Sequence, residues 1–313
     1  MKLPNYAYFQ GKIVPYSDAK IGVMTHSLNY GTAVFGGVRA YWNEQEEELF
    51  VFRPFDHYRR FINSMKMMVM DPQLDEQGLV DITVELLQKE GLRQDMYLRP
   101  LAYKADEIIG VKLHDLTTEI TMFSVPFDRY VTNDTGAHVT FSSWRRLDDN
   151  MVPARGKISG AYANTAFIKT DAVRAGFDEA LVLDQAGHVS EGSAENVFMV
   201  RDGRLITPPV TDNILEGITR RTIIELAREE LGIEVLERSI DRTEVYISDE
   251  FFMTGTAAAV TAITKVDHRQ IGDGQMGPIA SQLREIYDDV VRGRNDKYRH
   301  WNQPVFEKVA VKS

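Results

Sequence analysis

Four short motifs in the second half of the chain constrain its fold more than any other feature of the sequence. A lysine, Lys157, stands in R-G-K-I-S-G-A-Y, and the acidic motif E-G-S-A-E-N runs from Glu191 to Asn196. Two turns follow, Gly-Ile-Thr at 217–219 and Gly-Thr-Ala at 255–257. The first turn opens a helical pattern and the second follows a strand pattern, so each presents backbone N–H groups to an anion. A fold that carries these motifs therefore offers one amine, one acid and two anion-binding turns.

The length of the chain indicates two domains. Its 313 residues correspond to about two domains of roughly 150 residues each. Residues that favour turns cluster in the segment Val-Thr-Asn-Asp-Thr-Gly, which ends at Gly136. We therefore predict a small N-terminal α/β domain at 1–127, an interdomain linker at 128–136 and a large C-terminal cofactor-binding domain at 137–313.

Both halves of the chain mix strand patterns with helical patterns. Apolar residues at helical spacing predict helices near 58–65, 79–87, 158–175, 219–231 and 279–290. Strand patterns lie between them, and the dipeptide Asp202-Gly203 indicates a tight hairpin. The tail from Lys297 is predicted to be loosely ordered. The mixture predicts an α+β fold, here an α/β arrangement in two domains.

Composition argues against several kinds of partner and location. The net charge of -10 and the pI of about 5.3 argue against a nucleic acid or an anionic membrane surface as partner. The chain has no cysteine, which excludes disulfides, thiol nucleophiles and cysteine-ligated zinc. Its first residues lack the apolar stretch of a signal peptide, and no segment approaches the ~18 apolar residues of a membrane span. We therefore expect a cytoplasmic protein.

The sequence also lacks the local signatures of two other kinds of site. The seven histidines are scattered, with no His-x-x-x-His pair. No glycine-rich loop is followed by Lys-Ser or Lys-Thr, as a nucleotide phosphate loop would be. We therefore predict no metal site.

Each of the four motifs, taken alone, also fits an ordinary structural role. A lone lysine is most often a surface residue, a loop glutamate often accepts backbone N–H bonds, and a Gly-Thr turn often begins an ordinary capped helix. Their order and spacing together are more specific. They resemble the motifs of the fold-type IV pyridoxal phosphate enzymes, and most closely those of the branched-chain amino acid aminotransferase family. The resemblance runs from about Tyr8 to about Gly293.

The resemblance implies a fold and a cofactor. The fold is the fold-type IV aminotransferase (D-amino acid aminotransferase-like) fold, with pyridoxal 5'-phosphate in the cleft between the domains. Lys157 matches the catalytic lysine that holds this cofactor as a Schiff base. Glu195 matches the acid beside the pyridine nitrogen, although Glu191 in the same motif offers the same chemistry. The other implied cofactor-binding residues are Arg60, Tyr162, Ile218, Thr219 and Thr256. The adjacent Arg59 is the alternative to Arg60.

Two further segments match the substrate pocket of the family. Residues 30–39 read Y-G-T-A-V-F-G-G-V-R, and residues 97–100 read Y-L-R-P. The implied substrate-binding residues are Tyr30, Phe35, Gly37, Tyr97, Arg99, Val111, Thr256 and Ala257. Aromatic and aliphatic walls would bury an aliphatic side chain, and Arg99 would pair with the side-chain carboxylate of glutamate. Val111 matches a loop residue that reaches the site of the neighbouring subunit.

The chain departs from the family pattern at two places. Gly36 stands where branched-chain enzymes usually carry glutamate, so the pocket beside Phe35 lacks a carboxylate. The segment at 125–130 also differs, and its Arg129 could add positive charge near the entrance. Both departures bear on which substrate is taken, and neither bears on the cofactor.

The resemblance implies transamination of branched-chain L-amino acids with 2-oxoglutarate, giving branched 2-oxo acids and L-glutamate. It also implies a homo-oligomer, at least a dimer, with sites shared across the interface. On the same fold, the alternatives are a transaminase for D-amino acids or (R)-amines and an aminodeoxychorismate lyase. A non-catalytic binding protein that has kept the fold is an alternative of another class.

Overall fold

The computed structural model describes residues 3–127 and 136–306. The chain forms two compact units. The first unit contains Met1–Asp128, Gly156–Gly160 and Asp289–Ser313, and the second contains Arg129–Arg155 and Ala161–Asp288. The predicted linker at 128–136, with Arg129, lies almost wholly outside the described residues, so the predicted domain boundaries stay a prediction.

Strands supply most of the regular structure. In chain order they are β1 (Tyr6–Phe9), β2 (Lys12–Pro15), β3 (Ala33–Phe35), β4 (Val38–Asn43), β5 (Glu48–Phe52), β6 (Met96–Lys104), β7 (Thr118–Pro126), β8 (Ala137–Arg145), β9 (Glu179–Leu183), β10 (Val189–Gly192), β11 (Asn196–Arg201), β12 (Arg204–Thr207), β13 (Val235–Glu237), β14 (Glu250–Gly255), β15 (Ala259–Val266), β16 (Arg269–Gln270) and β17 (Asn302–Pro304). Within the described residues they form one sheet in each unit.

The α-helices are α1 (His26–Tyr30), α2 (Pro54–Met67), α3 (Glu76–Glu90), α4 (Tyr162–Arg174), α5 (Ile218–Glu229), α6 (Arg242–Val245) and α7 (Pro278–Val291). Short 3-10 helices lie at Tyr16–Asp18, Ser159–Ala161, Val210–Asp212 and Asp296–Trp301. None of the helices in the described part of the chain is long and apolar enough to cross a membrane.

The first unit is an antiparallel sheet with two helices packed on it. The strand order is β17-β5-β4-β6-β7-β1-β2, and β3 pairs with β6. Tyr58 of α2 is fully buried, and its hydroxyl hydrogen bonds to Thr83 of α3, beside the sulfur of Met122 on β7. α3 begins at the N-cap Asp75, whose carboxylate accepts the Gly78 N–H, and ends at a left-handed residue, as its sequence predicts.

The second unit contains a mixed sheet. Its order is β10-β9-β8-β15-β14-β11-β12-β13, with β8 parallel to both β9 and β15. The buried rings of Phe198 and Phe252, on the paired strands β11 and β14, stack 5.2 Å apart. α5 turns its buried residues Ile223 and Leu226 inward. Both units thus combine a sheet with helices, which confirms the predicted α+β class.

Most predicted elements are confirmed, and one helix begins later than predicted. The pattern over 158–175 predicts a helix from Ile158, but α4 begins at Tyr162 after a 3-10 turn. The reason is that Ile158 forms an isolated β-bridge with Val34 of β3. A residue whose backbone is extended for such a bridge cannot also adopt helical dihedrals.

The prediction of a loosely ordered tail is wrong for residues 297–306. This segment forms a 3-10 helix and then β17, which pairs antiparallel with β5. Glu48 of β5 explains much of the order, because its Oε1 accepts the backbone N–H groups of Val305 at 3.0 Å and Phe306 at 2.7 Å. The aromatic ring of Trp301 lies under the guanidinium of Arg53, 3.7 Å from its carbon.

Replacing Glu48 with alanine should therefore release the end of the chain. The substitution removes the side-chain acceptor of the Leu49 and Phe306 N–H groups, whereas the Val305 N–H keeps its bond to the Leu49 carbonyl. A buried donor that loses its acceptor costs on the order of 1–3 kcal/mol. Limited proteolysis should then remove the terminal segment faster, and the melting temperature should fall. Glu44→Ala is the matched control, because that side chain is exposed. Equal proteolysis rates in the two variants would contradict the role assigned to Glu48.

Candidate active site

Lys157 is fixed by its backbone on both sides. Its N–H donates to Ser64 Oγ at 3.2 Å, and its carbonyl accepts the Phe35 N–H at 3.0 Å. Its Nζ lies 5.0 Å from the centre of the Phe35 ring. These contacts, all within the first unit, hold a half-buried amine above an aromatic face at the end of β3.

Arg60 is linked to Lys157 through one hydroxyl. Ser64, one turn later on α2, donates from Oγ to the Arg60 carbonyl at 2.9 Å and accepts the Lys157 N–H. Arg60 is half-buried, whereas Arg59 is exposed and lies within 4 Å of Asp56 and Glu76. This difference fits the predicted choice of Arg60 over Arg59, since Arg59 belongs to a solvated, carboxylate-rich surface.

Arg99 is the cation of the predicted substrate pocket. Its Nη2 donates to the Tyr97 hydroxyl at 2.8 Å, and its guanidinium carbon lies 4.6 Å from the centre of the Phe35 ring. Its Nε is buried and has no hydrogen-bond partner among the described residues. The structure thus brings Phe35, Tyr97 and Arg99 together beside Lys157. A planar cation held on aromatic faces, with a donor to spare, is suited to an incoming carboxylate.

The two glycines before β4 leave room for this arrangement. A Cβ on Gly37 would lie 2.4 Å from the Tyr97 hydroxyl oxygen, so the small residue lets Tyr97 reach Arg99. A Cβ on Gly36 would lie 2.6 Å from Pro100 Cγ. A side chain at Gly36 therefore requires Pro100 to shift, which a proline ring does not do easily.

Tyr30 ends α1, and Val111 lies in the loop between β6 and β7. The carbonyl of Gly31, next to Tyr30, accepts the Gly160 N–H of the Lys157 segment at 3.1 Å. The Tyr30 hydroxyl accepts the Gly110 N–H at 3.1 Å, and the His26 ring bonds to the Gly110 carbonyl at 2.6 Å. Val111 follows and is 77% exposed. The loop is thus anchored at Gly110 while its next side chain points to solvent in the single chain.

The first anion-suited turn lies at the start of α5 in the second unit. Gly217 is the N-cap and has no side chain that could cap the first N–H groups of this 12-residue helix. A Cβ on Gly217 would lie 2.1 Å from Asn196 Oδ1, so a larger residue would displace Asn196 from its bond to the Leu215 carbonyl. Ile218 and Thr219 follow, both buried. This geometry fits a phosphate group held by the helix start.

The second turn connects β14 to β15. Thr256 and Ala257 occupy the hairpin turn just after Gly255, and both are half-buried. Tyr162 begins α4 elsewhere in the second unit and is also half-buried. The predicted strand-to-turn setting of the Gly-Thr-Ala motif is confirmed.

Glu195 lies in the short loop between β10 and β11. Its Oε2 accepts the Ala194 N–H at 3.1 Å, and its Cγ would contact a Cβ on Gly255 at 3.7 Å. The acid is therefore next to the second turn. Burial, followed by the nearby negative charge of Glu179, raises the pKa of Glu195 to about 7. Such a carboxyl changes protonation readily near neutral pH.

Glu191, the other acid of the motif, ties several segments together. Its Oε1 lies 2.9 Å from Arg146 Nη2, and its Oε2 accepts the Leu215 N–H at 2.9 Å. Asn196 donates from Nδ2 to the Leu215 carbonyl at 2.9 Å. The first and last residues of E-G-S-A-E-N thus clamp the segment that leads into α5.

Three contributors to the site escaped sequence reasoning. Ser64 carries no signal, because a serine in mid-helix has no expected partner. Arg146 is the second of two adjacent arginines at the end of β8, and nothing in the sequence indicates that it pairs with Glu191. Asn196 could have been found, because its fixed place at the end of the acidic motif is typical of a residue that supports a turn.

Comparison with known proteins identifies the group to which the fold and motifs correspond. The family model described as amino-transferase class IV matches residues 33–266. A protein of Aquifex aeolicus (strain VF5), named as a probable branched-chain-amino-acid aminotransferase, is 47% identical over 304 residues, covering 97% of this chain and 98% of that protein.

Solved structures give the same result. The branched-chain aminotransferase of Thermoproteus uzoniensis with norvaline has a TM-score of 0.93 and 40% identity. The match covers 97% of this chain and 100% of that chain. The branched-chain amino acid aminotransferase of Thermobaculum terrenum, in its PLP form, has a TM-score of 0.93 and 40% identity, covering 98% of this chain and 100% of that chain. These matches confirm the predicted fold.

Proposed function

The chain belongs to the class IV aminotransferase family, and we propose that it transfers the amino group of leucine, isoleucine or valine to 2-oxoglutarate. The products are the branched 2-oxo acids and L-glutamate. The observation that carries the proposal is the match over nearly the full chain to proteins named as branched-chain aminotransferases, at 47% identity in the Aquifex protein. The cofactor is pyridoxal 5'-phosphate, as in the PLP form of the Thermobaculum terrenum enzyme.

We assign the cofactor's phosphate to the two turns and to Arg60. The α5 start supplies the N–H groups of Ile218 and Thr219 with the Thr219 hydroxyl, and the hairpin turn supplies Thr256. Helix dipole, backbone donors and a guanidinium all favour a dianionic group. Tyr162 is assigned to the phenolic oxygen of the ring. When bound, the cofactor supplies an electron sink for the carbanion formed at the substrate's α carbon.

Lys157 is the proposed catalytic base and acid. Its Nζ would take the proton from the α carbon of the substrate and deliver it to a carbon of the cofactor. The backbone bonds to Ser64 and Phe35 limit its motion to the side chain. A fixed backbone with a mobile amine suits a group that must reach two carbon atoms in turn.

Glu195 is the proposed partner of the pyridine nitrogen. A buried carboxyl with a raised pKa can share or give its proton to that nitrogen and hold the resulting positive charge. Glu191 is the alternative, because it is also buried and lies 2.9 Å from Arg146 Nη2. Variants of the two acids distinguish these assignments.

Arg99 is the proposed recognition group for the side-chain carboxylate of 2-oxoglutarate and glutamate, with the backbone of Thr256 and Ala257 facing the substrate's α-carboxylate. Tyr30, Phe35, Gly37, Tyr97 and Val111 complete the proposed pocket.

Replacing Arg99 with lysine should raise KM for 2-oxoglutarate by about tenfold, since lysine loses the planar stacking on Phe35 and the hydrogen bond to Tyr97. KM for leucine should change much less. Steady-state kinetics with each substrate varied in turn checks this, and equal changes for both would contradict the assignment.

The same enzyme is proposed to be a homodimer at least, with Val111 reaching the partner's site. The support is an exposed apolar surface in the first unit, formed by Ile21, Val23, Met24, Leu28, Ile109 and Val111. Its two segments are joined by the His26 N–H bond to the Asp106 carbonyl at 2.8 Å. Contiguous exposed apolar side chains of this kind mark interaction surfaces.

The double substitution Val23→Glu with Ile109→Glu should therefore produce monomers. Charges cannot be buried in an apolar interface without a partner. Light scattering coupled to gel filtration measures the mass, and Ile247→Glu, at an exposed site in the second unit, is the control. An unchanged mass for the double variant would exclude this surface as the dimer interface.

A cytoplasmic location of the protein is also proposed, and cell fractionation tests it.

The function is tested first by the visible absorption spectrum of the purified protein with each donor. A yellow band that fades with L-leucine and returns with 2-oxoglutarate supports the proposal. A band that responds to D-alanine or an (R)-amine, and not to leucine, supports the alternative transaminases on this fold. A stable band with no response to any amine, together with no turnover, supports the binding protein. No band after addition of pyridoxal phosphate contradicts the cofactor assignment.

A further inference from the structure

A group of metal-ligand side chains lies in the second unit, outside the proposed active site. Asp184 follows β9, His188 precedes β10, and Asp212 ends a 3-10 helix. One ligand atom from each lies within 4.8 Å of the other two, and no ion is present. The histidines look scattered in the sequence, and the fold brings one of them to two aspartates.

Backbone bonds hold the three residues in place. The His188 N–H donates to Asp184 Oδ1 at 2.9 Å, and the Asp184 N–H donates to the His188 carbonyl at 2.8 Å. The Ser190 hydroxyl donates to the Asp212 carbonyl at 2.7 Å. The arrangement is thus fixed before any ion binds, which lowers the entropic cost of binding.

Asp212 is the observation that indicates a ligand. The residue is only 6% exposed, and its Oδ2 is buried without a hydrogen-bond partner among the described residues. A buried carboxylate oxygen that faces another acid and lacks a donor needs either a proton or a cation.

We propose that Asp184, His188 and Asp212 bind a divalent transition-metal ion of the Zn²⁺ type, which stabilises the second unit. His188 Nδ1 lies 3.9 Å from Asp184 Oδ2, so this nitrogen faces the carboxylates. Its Nε2 lies 3.9 Å from Asp241 Oδ1, the outer carboxylate that commonly orients a ligating imidazole. Water completes a four-coordinate site, because His188 is partly exposed.

The ion's identity follows from the donors. Ligand atoms around Zn²⁺ lie roughly 3.4 Å apart when each bond is ~2.1 Å, so the site must contract slightly on binding. Rotation of the half-exposed His188 ring can supply that movement. An imidazole with two carboxylates favours Zn²⁺ over Mg²⁺ and Ca²⁺, which prefer oxygen ligands only.

The test uses untagged holoenzyme dialysed against EDTA and titrated with ZnCl₂, followed by calorimetry and by melting temperature. We expect one Zn²⁺ per chain at this site and a higher melting temperature with the ion. Asp212→Asn and His188→Gln should each weaken binding by about tenfold or more. His114→Gln should bind as the wild type does, because His114 is exposed and lies beside a single acid, Asp115.

Three outcomes would overturn the proposal. One is no saturable Zn²⁺ binding by the wild type. Another is equal affinity in wild type and His188→Gln, a variant that keeps the test open if Asp212→Asn does not fold. The third is Mg²⁺ binding as tight as Zn²⁺ binding, which would contradict the part assigned to the imidazole. In the first case the Asp212 carboxyl would instead be expected to carry a proton.

Discussion

Lys157→Ala is expected to lower the rate of transamination by about 10⁴-fold, the upper range for removal of a proton-transferring group. Alanine keeps the backbone N–H bond to Ser64 and the carbonyl bond from Phe35, so the local fold should survive. The loss would then be chemical. Treatment of the wild type with borohydride should leave the cofactor covalently attached to the peptide that contains Lys157, and the variant should yield no such peptide.

Lys112→Ala is the matched control, since Lys112 is an exposed lysine of the first unit whose Nζ lies 3.4 Å from Asp115 Oδ2. Its rate should equal that of the wild type. Added methylamine should restore part of the activity of Lys157→Ala, because a small free amine can take over proton transfer. Wild-type turnover by Lys157→Ala would contradict the mechanism, and it would not bear on the fold.

Glu195→Gln is expected to have the second large effect. The substitution should lower the activity and raise the stability of the cofactor-free protein. Activity should fall by on the order of 10²–10³-fold, as for removal of a preorganised electrostatic group. The cofactor-free protein should nevertheless be more stable than the wild type above neutral pH. The reason is that a carboxyl whose pKa is raised from 4.5 to about 7 on folding binds its proton more tightly in the folded state.

The pH dependence follows from the direction of that shift. The stabilisation from Glu195 is complete below pH 4.5, and it is lost as the pH rises through about 7. The difference is about 3 kcal/mol between the two limits. Denaturant unfolding of cofactor-free wild type at several pH values should show this loss, and Glu195→Gln should not. Parallel pH curves for the two proteins would contradict a raised pKa for Glu195.

Glu191→Gln is the discriminating companion. It weakens the ion pair with Arg146, so it should destabilise the protein at neutral pH. If Glu191→Gln abolishes activity and Glu195→Gln retains it, the pyridine partner is Glu191 and not Glu195. The visible spectrum of each variant across pH reports directly which acid affects the cofactor ring.

The fold was readable from the sequence wherever a local rule acts. The helix ending at Gly91 and the hairpin at Asp202-Gly203 follow from residues that tolerate positive φ, and both are present. The start of α4 and the order of the tail were not readable. Each depends on a distant strand: Ile158 bridges Val34, and β17 pairs with β5.

The site divides in the same way. The Gly-Ile-Thr turn at a helix start and the Gly-Thr-Ala turn after a strand were predictable, because glycine at such positions has a local reason. The pairing of Arg99 with Tyr97 and its stacking on Phe35 were predicted only as shared membership of a pocket. Their geometry requires β3, β4 and β6 to be neighbours, which no local pattern states. The roles assigned to the individual cofactor residues stay predictions that the variants above test.

The membership of the first unit has a consequence for how the chain is made. The sheet of this unit begins with β1, near the start of the chain, yet its edge strand β17 lies near the end. The Lys157 segment, from the middle of the chain, also belongs to the first unit. A ribosome delivers the second unit, through Asp288, before it delivers β17. The unit that is synthesised first is therefore completed last. The edge of β5 stays unpaired until β17 is made, during the period when a nascent chain is most exposed to aggregation.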